Sequence, residues 1–312
     1  VRFLQFIAHT QWRRLKQYCN ERCIHIFGDM PIYVPYDSVD VWTHRNLFKL
    51  DRENNPVVVS GVPPDYFSKT GQRWGHPVYR WEAHQQEGFN WWTARMARNL
   101  FLYDLVRIDH FRGLVACWEI PALEKTAVNG TWVDVPVTEF FDHMQRRFVN
   151  FPIIAEDLGM ITADVREVIR AYGFPGMRVL VFGFSGELSK NPNAFHHIEQ
   201  NTVAYTGTHD TNTVAGWFET EIAGNDKKQL FAYLGRSATA KDISWELIRL
   251  ALMCRARLSI IPVQDLLGLG ADHRINRPAK QKGNWQWRLL PSALTSFDRS
   301  QLKEAVRVYA RD

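Results

Sequence analysis

The sequence predicts an α/β fold in which parallel strands are covered by helices. Three observations predict it: nearly continuous apolar runs recur along the chain, segments with helical period lie between them, and polar residues follow directly after several runs. The apolar runs lie at residues 24–28, 105–108, 152–155, 178–182, 202–205 and 259–263. Runs without polar alternation are typical of parallel strands that are buried on both faces.

The segments between these runs have the spacing of amphipathic helices. Apolar residues recur every three to four positions around residues 11–23, 92–103, 141–148, 162–173 and 242–254. Alternation of strands with helices implies right-handed crossovers in a parallel sheet.

One long stretch, about residues 35–88, has no such period and is rich in Pro, Gly, Asp and aromatic residues. A loop of this length inside a compact domain is usually functional. We therefore expect it to cover a binding cleft.

Composition argues against nucleic-acid binding, a membrane span and a metal site. The 312 residues carry a net charge of +5, but the basic residues occur in pairs such as Arg13-Arg14 and not in the longer tracts typical of nucleic-acid binding. No apolar run reaches the roughly 18 residues that a membrane span requires. Neither a metal nor another cofactor is expected, since the four cysteines lack the spacing of a metal site. The 12 Trp, 19 Phe and 10 Tyr suit either core packing or platforms for sugar rings.

Carboxylates are found where the apolar runs end. Asp109, Glu156 and Asp210 each follow a run, and the carboxyl ends of parallel strands in an α/β barrel meet at one mouth. A single carboxylate at such a position more often caps the next helix. Arg107, however, shares a strand face with Asp109 and can keep it ionised. Neighbouring carboxylates in unequal environments are what glycoside chemistry requires.

The motifs GDMPIYV, VSGVPPDYFSKTGQRWGHPVY, VRIDHFRG, IIAEDLG, YTGTHD and PVQDLLGLG closely resemble the amylomaltase and disproportionating-enzyme family. These enzymes are 4-α-glucanotransferases of the α-amylase clan, and the resemblance extends over essentially the whole chain. It implies a TIM-type (β/α)₈ barrel, a retaining double displacement through a glucosyl-enzyme, and α-1,4-glucan substrates such as maltooligosaccharides or pieces of starch and glycogen.

The resemblance also assigns roles by position. Asp109 matches the nucleophile, Glu156 the general acid/base, and Asp210 a third carboxylate that binds sugar hydroxyls. The expected substrate-binding and supporting residues are Arg107, His209, Asp29, Tyr33, Tyr66, Phe67 and Trp74. Tyr33 remains open between core packing and sugar contact, and Trp74 between packing and sugar contact.

Six strands are predicted where the barrel has eight. Matching the motifs to the clan order makes them strands three to eight, so that residues 1–312 would form the C-terminal part of a catalytic barrel whose first two strands are missing. We therefore expect a fragment that has weak or no activity without its N-terminal part, and a cytoplasmic enzyme, or a plastid one if the source is a plant or alga. Two alternatives stay open: an α-glucan hydrolase of the same clan, and a catalytically silent glycan-binding protein.

Overall fold

The computed structural model describes residues 1–65, 68–278, 280, 282–295 and 297–311, and the chain divides into two compact units. The first unit is Val1–Pro175 and the second is Gly176–Asp312. Each unit contains a parallel sheet whose strands are separated in sequence by helices. The α/β class that the sequence predicts is thus found in both units.

The helices and strands of the first unit follow one another along the chain. They are α1 (Arg2–Asn20), β1 (Phe27–Pro31), α2 (Val39–Thr43), β2 (Val58–Val62), β3 (Gln72–Pro77), α3 (Trp81–Gln86), α4 (Asn90–Leu102), β4 (Leu105–Asp109), β5 (Ala116–Pro121), β6 (Thr131–Asp134), α5 (Val137–Arg147), β7 (Ile153–Ala155) and α6 (Ala163–Ala171).

The parallel sheet of this unit has the order β1-β4-β7. Its register pairs Asp29 with Arg107 and Ile108 with Ala155. Val106 and Ile108 are fully buried in the hydrophobic core. Because successive side chains on a strand point to opposite faces, Arg107 and Asp109 lie together on the other face.

Strand β1 begins three residues later than its apolar run predicts. The run starts at residue 24, but pairing with β4 begins only at Phe27. Just before it, the Asp104 carboxylate accepts hydrogen bonds from the backbone N–H of Ile26 at 2.7 Å and from the Asn20 side chain at 3.0 Å. The N–H of Ile26 is thus bound by a side chain and not by a neighbouring strand, so the strand begins at the next residue.

A second, antiparallel sheet with the order β3-β2-β5-β6 was not predicted from the sequence. Two of its strands and helices α2 and α3 lie within residues 35–88, which the sequence analysis interpreted as one loop without regular structure. Strand β3 (QRWGHP) is mostly polar and has weak strand propensity, and in β2 (VVSGV) serine and glycine interrupt the valines, which favour strands. Their ladder partners supply the stabilisation that propensity does not.

Most aromatic residues of the first unit belong to its core. Trp81 stacks on Trp92 with ring centroids 5.7 Å apart, and Tyr79 packs on Trp92 at 4.9 Å. The Tyr79 hydroxyl donates to the carbonyl of Ile32 at 2.6 Å, and Arg95 of α4 donates to the same carbonyl at 2.8 Å. The segment that follows β1 is thereby attached to the core.

The second unit repeats strand–helix alternation. It contains β8 (Gly176–Val179), β9 (Thr202–Tyr205), α7 (Val214–Thr220), α8 (Gly224–Leu234), α9 (Ile243–Met253), β10 (Leu258–Ile260), α10 (Val263–Leu266), α11 (Pro291–Thr295) and α12 (Arg299–Val308). Its parallel sheet has the order β10-β9-β8. Leu247, Ile248 and Ala251 of α9 are fully buried, so this helix supplies much of the apolar cover.

Across the described part of the chain, no helix combines the length and the apolar composition that crossing a bilayer requires.

Candidate active site

In the first unit, Arg107 lies between two carboxylates. Its Nη1 donates to Asp29 Oδ2 at 2.6 Å and its Nη2 to Asp109 Oδ1 at 2.5 Å. Arg107 is buried, whereas the side chains of Asp29 and Asp109 are 41% and 43% exposed. The arginine therefore holds both carboxylates from below while they remain accessible from solvent.

Glu156 follows β7 directly and is buried. Its Oε2 accepts a hydrogen bond from the backbone N–H of His110 at 2.8 Å, and its Oε1 accepts one from the N–H of Leu158 at 2.8 Å. Burial, and next the nearby charge of Asp109, raise the pKa of Glu156 to about 7, against the opposing effects of Arg107 and the two backbone bonds. A carboxyl group with such a pKa can donate and accept a proton near neutral pH.

The structure thus brings Asp109 and Glu156 into electrostatic contact in unequal environments. Asp109 is partly exposed and paired with a buried arginine, while Glu156 is desolvated. When the environments of two neighbouring carboxyl groups differ in this way, the ionised group suits the role of nucleophile and the desolvated group suits proton transfer.

Tyr33, Trp74 and His110 form an aromatic wall, in which both other rings pack on His110, whose N–H binds Glu156. His110 directly follows Asp109 in the left-handed backbone region, with φ 51°. The Trp74 ring meets the His110 ring edge-on, with centroids 4.6 Å apart. Burial lowers the pKa of His110 to about 4, with a smaller contribution from the charge of Arg112. The imidazole is therefore neutral at physiological pH.

Tyr33 is 5% exposed and stacks on Tyr79 at 5.9 Å. This burial favours the core interpretation of Tyr33 over the sugar contact expected from the sequence. Trp74 is half-buried and packs on His110, so it has a packing role and is also partly accessible. Tyr66 and Phe67, the other two aromatic residues expected to contact substrate, lie outside the described residues.

Because Gly113 has no Cβ atom, side chains of the aromatic wall can pack closely against its backbone. A Cβ atom at position 113 would lie 2.8 Å from Ile32 Cδ1, 3.0 Å from His110 Cδ2 and 3.3 Å from the Tyr33 hydroxyl. We expect Gly113→Ala to lower the free energy of unfolding by about 1–3 kcal/mol through overpacking. Denaturant unfolding checks this value, and Gly224→Ala, where a Cβ meets nothing within 4 Å, is the control. Equal stability of the two variants would contradict the close approach at Gly113.

In the second unit, Asp210 follows β9 within the loop at residues 206–213. Its Oδ1 accepts a hydrogen bond from Asn276 Nδ2 at 2.6 Å, and its Oδ2 lies 3.3 Å from His209 Nε2. Arg274 donates to the carbonyl of Asp210 at 2.6 Å. His209 packs against the Trp285 ring at 5.4 Å.

Asn276 and Arg274 are not among the site residues expected from the sequence. Arg274 also donates to Glu221 Oε1 at 3.3 Å, and Asn212 donates to the same oxygen at 2.9 Å. Asn276 lies 66 positions from Asp210. Pairing over this distance is a tertiary contact that spacing alone does not indicate.

Asp265, within the motif PVQDLLGLG, was likewise left without a role. It is 1% exposed, and its carboxylate accepts hydrogen bonds from Thr206 Oγ1 at 2.6 Å and from the N–H of Val214 at 2.7 Å. Burial raises the pKa of Asp265. Because its partners flank the loop that carries His209 and Asp210, Asp265 holds both ends of that loop.

The comparisons with known proteins fit this chemistry. Residues 1–294 match the family model described as 4-alpha-glucanotransferase. The chain is 46% identical to the 4-alpha-glucanotransferase of Aquifex aeolicus over 99% of its own length and 63% of that protein's length. It is 47% identical to the chloroplastic/amyloplastic 4-alpha-glucanotransferase of Oryza sativa subsp. japonica, covering 98% of this chain and 52% of that one.

The chain is also similar to a solved amylomaltase structure. The amylomaltase from Streptococcus agalactiae in complex with acarbose superposes with a TM-score of 0.93 at 40% identity, over 98% of this chain and 61% of that chain. The chain thus spans between half and two thirds of the length of these relatives.

The family model covers nearly all residues, and the relatives are more than 40% identical over almost the whole chain. The resemblance read from the motifs is confirmed: this chain belongs to the 4-alpha-glucanotransferase family.

Proposed function

We propose that the protein carrying this chain is a 4-α-glucanotransferase that moves segments of α-1,4-glucan between maltooligosaccharides with retention of configuration. The observation that carries the proposal is the pair Asp109 and Glu156, one ion-paired and accessible, the other buried with its pKa raised to about 7. Membership of the family supports the α-glucan substrate.

In the first step, Asp109 attacks the anomeric carbon while Glu156 donates its proton to the glycosidic oxygen, and the reducing-end part of the donor leaves. In the second step, Glu156 removes the proton from a sugar hydroxyl of the acceptor, which attacks the anomeric carbon and displaces Asp109. Two inversions restore the α configuration.

Other residues have binding roles in this proposal. Asp210, held by Asn276 and His209, is the third carboxylate and binds sugar hydroxyls. Arg107 orients Asp109, and Asp29 completes the ion-pair group around Arg107. Trp74, which is partly accessible, is proposed to contact a sugar ring. Tyr66 and Phe67 are proposed as sugar contacts on the basis of the motif alone.

We also propose that the six strands of the two parallel sheets correspond to strands three to eight of a (β/α)₈ barrel, and that part of residues 35–88 covers the cleft. The TM-score of 0.93 with an amylomaltase supports this correspondence. The proposed location is the cytoplasm, or the plastid for a plant or algal source, as the name of the rice relative suggests.

Incubation with maltotriose tests the function. A transferase is expected to release glucose and to produce a ladder of longer maltooligosaccharides, because a sugar hydroxyl accepts the glycosyl group. The measurement is chromatography of the products over time. Only shorter products would identify a hydrolase, and no change in the presence of bound maltotriose would indicate a glycan-binding protein.

A further inference from the structure

The Glu156 carboxyl is held by two backbone N–H groups from different loops. His110 belongs to the turn after β4, and Leu158 belongs to the loop between β7 and α6. The turn after β4 is attached to Glu156 a second time, because the N–H of Phe111 donates to the Glu156 carbonyl at 3.3 Å. The orientation of Glu156 therefore depends on the relative position of these two loops.

Arg112 connects the same two loops. It lies two residues after His110, in the 3₁₀ turn Phe111–Leu114. Its Nη1 donates to Thr162 Oγ1 at 2.7 Å and to the Met160 carbonyl at 3.5 Å. Thr162 is the N-cap of α6, at the end of the loop that follows β7 and contains Leu158. Both bonds come from the same nitrogen, Nη1, which carries two N–H groups and so can donate to the two acceptors at once.

The Arg112 side chain is itself held in place by an aromatic ring. Its guanidinium carbon lies 4.0 Å from the centroid of the Trp132 ring on β6. Trp132 packs in turn on Trp118 of β5 at 5.2 Å. The antiparallel sheet thus supports a cation–π contact that keeps Arg112 oriented toward the loop after Glu156.

We propose that Arg112 is a positioning residue for Glu156: by joining the turn after β4 to the loop after β7, it holds the two backbone N–H groups that orient the carboxyl. Arg112 has no contact with the Glu156 carboxyl among those found in the described part of the chain, and acts through the backbone of His110 and Leu158. The inference rests on the proposed function only for its meaning in catalysis, since the contacts are independent of the activity.

Charge effects have to be separated from positioning. The charged groups that act on Glu156 within the first unit are Asp109 of β4, which raises its pKa, and Arg107 of β4, which lowers it. Around Arg112 itself, the charged neighbour is Asp164 of α6, and the neutral His110 ring is also near. Arg112→Lys keeps the positive charge but has a shorter side chain and lacks the flat face that lies over Trp132, whereas Arg112→Met removes the charge as well.

The experiment measures the pKa of Glu156 by ¹³C NMR of carboxyl-labelled glutamate, with the resonance assigned by its absence in Glu156→Gln. We expect both Arg112→Lys and Arg112→Met to raise the pKa by about one unit, because weaker backbone hydrogen bonds stabilise the ionised form less. Arg98→Met is the matched control, since Arg98 also lies over an aromatic ring, that of Phe101, on α4. It is expected to leave the pKa unchanged.

A rise in Arg112→Met with no change in Arg112→Lys would show a simple charge effect and would overturn the proposal, as would no change in either variant. Circular dichroism and thermal unfolding of both variants verify that they are folded. The NMR result does not depend on activity, so failure of the maltotriose assay in the unchanged protein would contradict the proposed function and not this inference. If the protein is active, the alkaline limb of the pH profile of kcat/KM is expected to move to higher pH, by as much as the pKa of Glu156 rises.

Discussion

Asp109→Ala is expected to reduce transfer from maltotriose by on the order of 10⁴-fold or more, because the covalent intermediate can no longer form. The loss should be almost entirely in kcat. In this variant Arg107 loses its hydrogen bond to Asp109 but keeps the one to Asp29. The site is therefore expected to stay assembled. The measurement is the initial rate of glucose release. Asp134→Ala, which removes an exposed carboxylate at the end of β6, is the matched control and should retain full activity.

Azide identifies the role of Asp109 through the stereochemistry of the product. In Asp109→Ala, azide can occupy the space of the lost carboxylate and attack the anomeric carbon of an α-maltotriosyl fluoride from the β face, displacing fluoride. The expected product is the β-glycosyl azide, identified by NMR. An α-azide from this variant, or unchanged maltotriose turnover, would rule out Asp109 as the nucleophile.

Glu156→Ala is expected to lower transfer from maltotriose by about 10²–10⁴-fold, since the leaving oxygen is no longer protonated. With α-maltotriosyl fluoride, whose leaving group needs no proton, the first step should proceed and the glycosyl-enzyme should accumulate. Intact-protein mass spectrometry detects the added maltotriosyl group. Azide should then restore turnover and yield the α-azide, opposite to the product of Asp109→Ala.

The pH profile gives a second test of the same residue. Because the first step requires protonated Glu156 and its pKa is about 7, kcat/KM should be maximal below pH 7 and fall about tenfold per pH unit above it. In Glu156→Ala this alkaline limb should disappear. Retention of the limb in the variant would assign it to another group.

The sequence predicted the parallel strands more reliably than the antiparallel sheet. Each of the six apolar runs contains or overlaps a parallel strand, because burial on both faces leaves a continuous apolar signal. The runs at 178–182 and 259–263 were too long at their ends, where a 3₁₀ turn and helix α10 begin. Strands β3 and β6 carry no such signal, and β2 and β5 only partly overlap the short apolar runs at 57–59 and 114–118, which were not interpreted as strands. The pairing of these four strands is decided by contacts with one another.

Among the candidate residues, those on strands were located best. Arg107 and Asp109 were expected to pair because they are two positions apart on one strand, and the structure shows that pair. The second partner of Arg107, Asp29, lies 78 positions away and is brought to it by the β1–β4 register. Tyr33 was left between core packing and sugar contact, and its burial against Tyr79, which only the tertiary structure reveals, favours core packing.

By itself, the sequence determined the α/β class and the family and predicted which carboxylates act in the site, because these inferences depend on local patterns: apolar period, strand ends and short motifs. The tertiary structure alone decided the environments of those carboxylates. Desolvation of Glu156, the N–H donor of His110 and the connection through Arg112 all depend on residues distant in the chain, whereas the second donor, the N–H of Leu158, lies only two positions away. A pKa reports how far a group is removed from water and which charges surround it, and both depend on the folded chain.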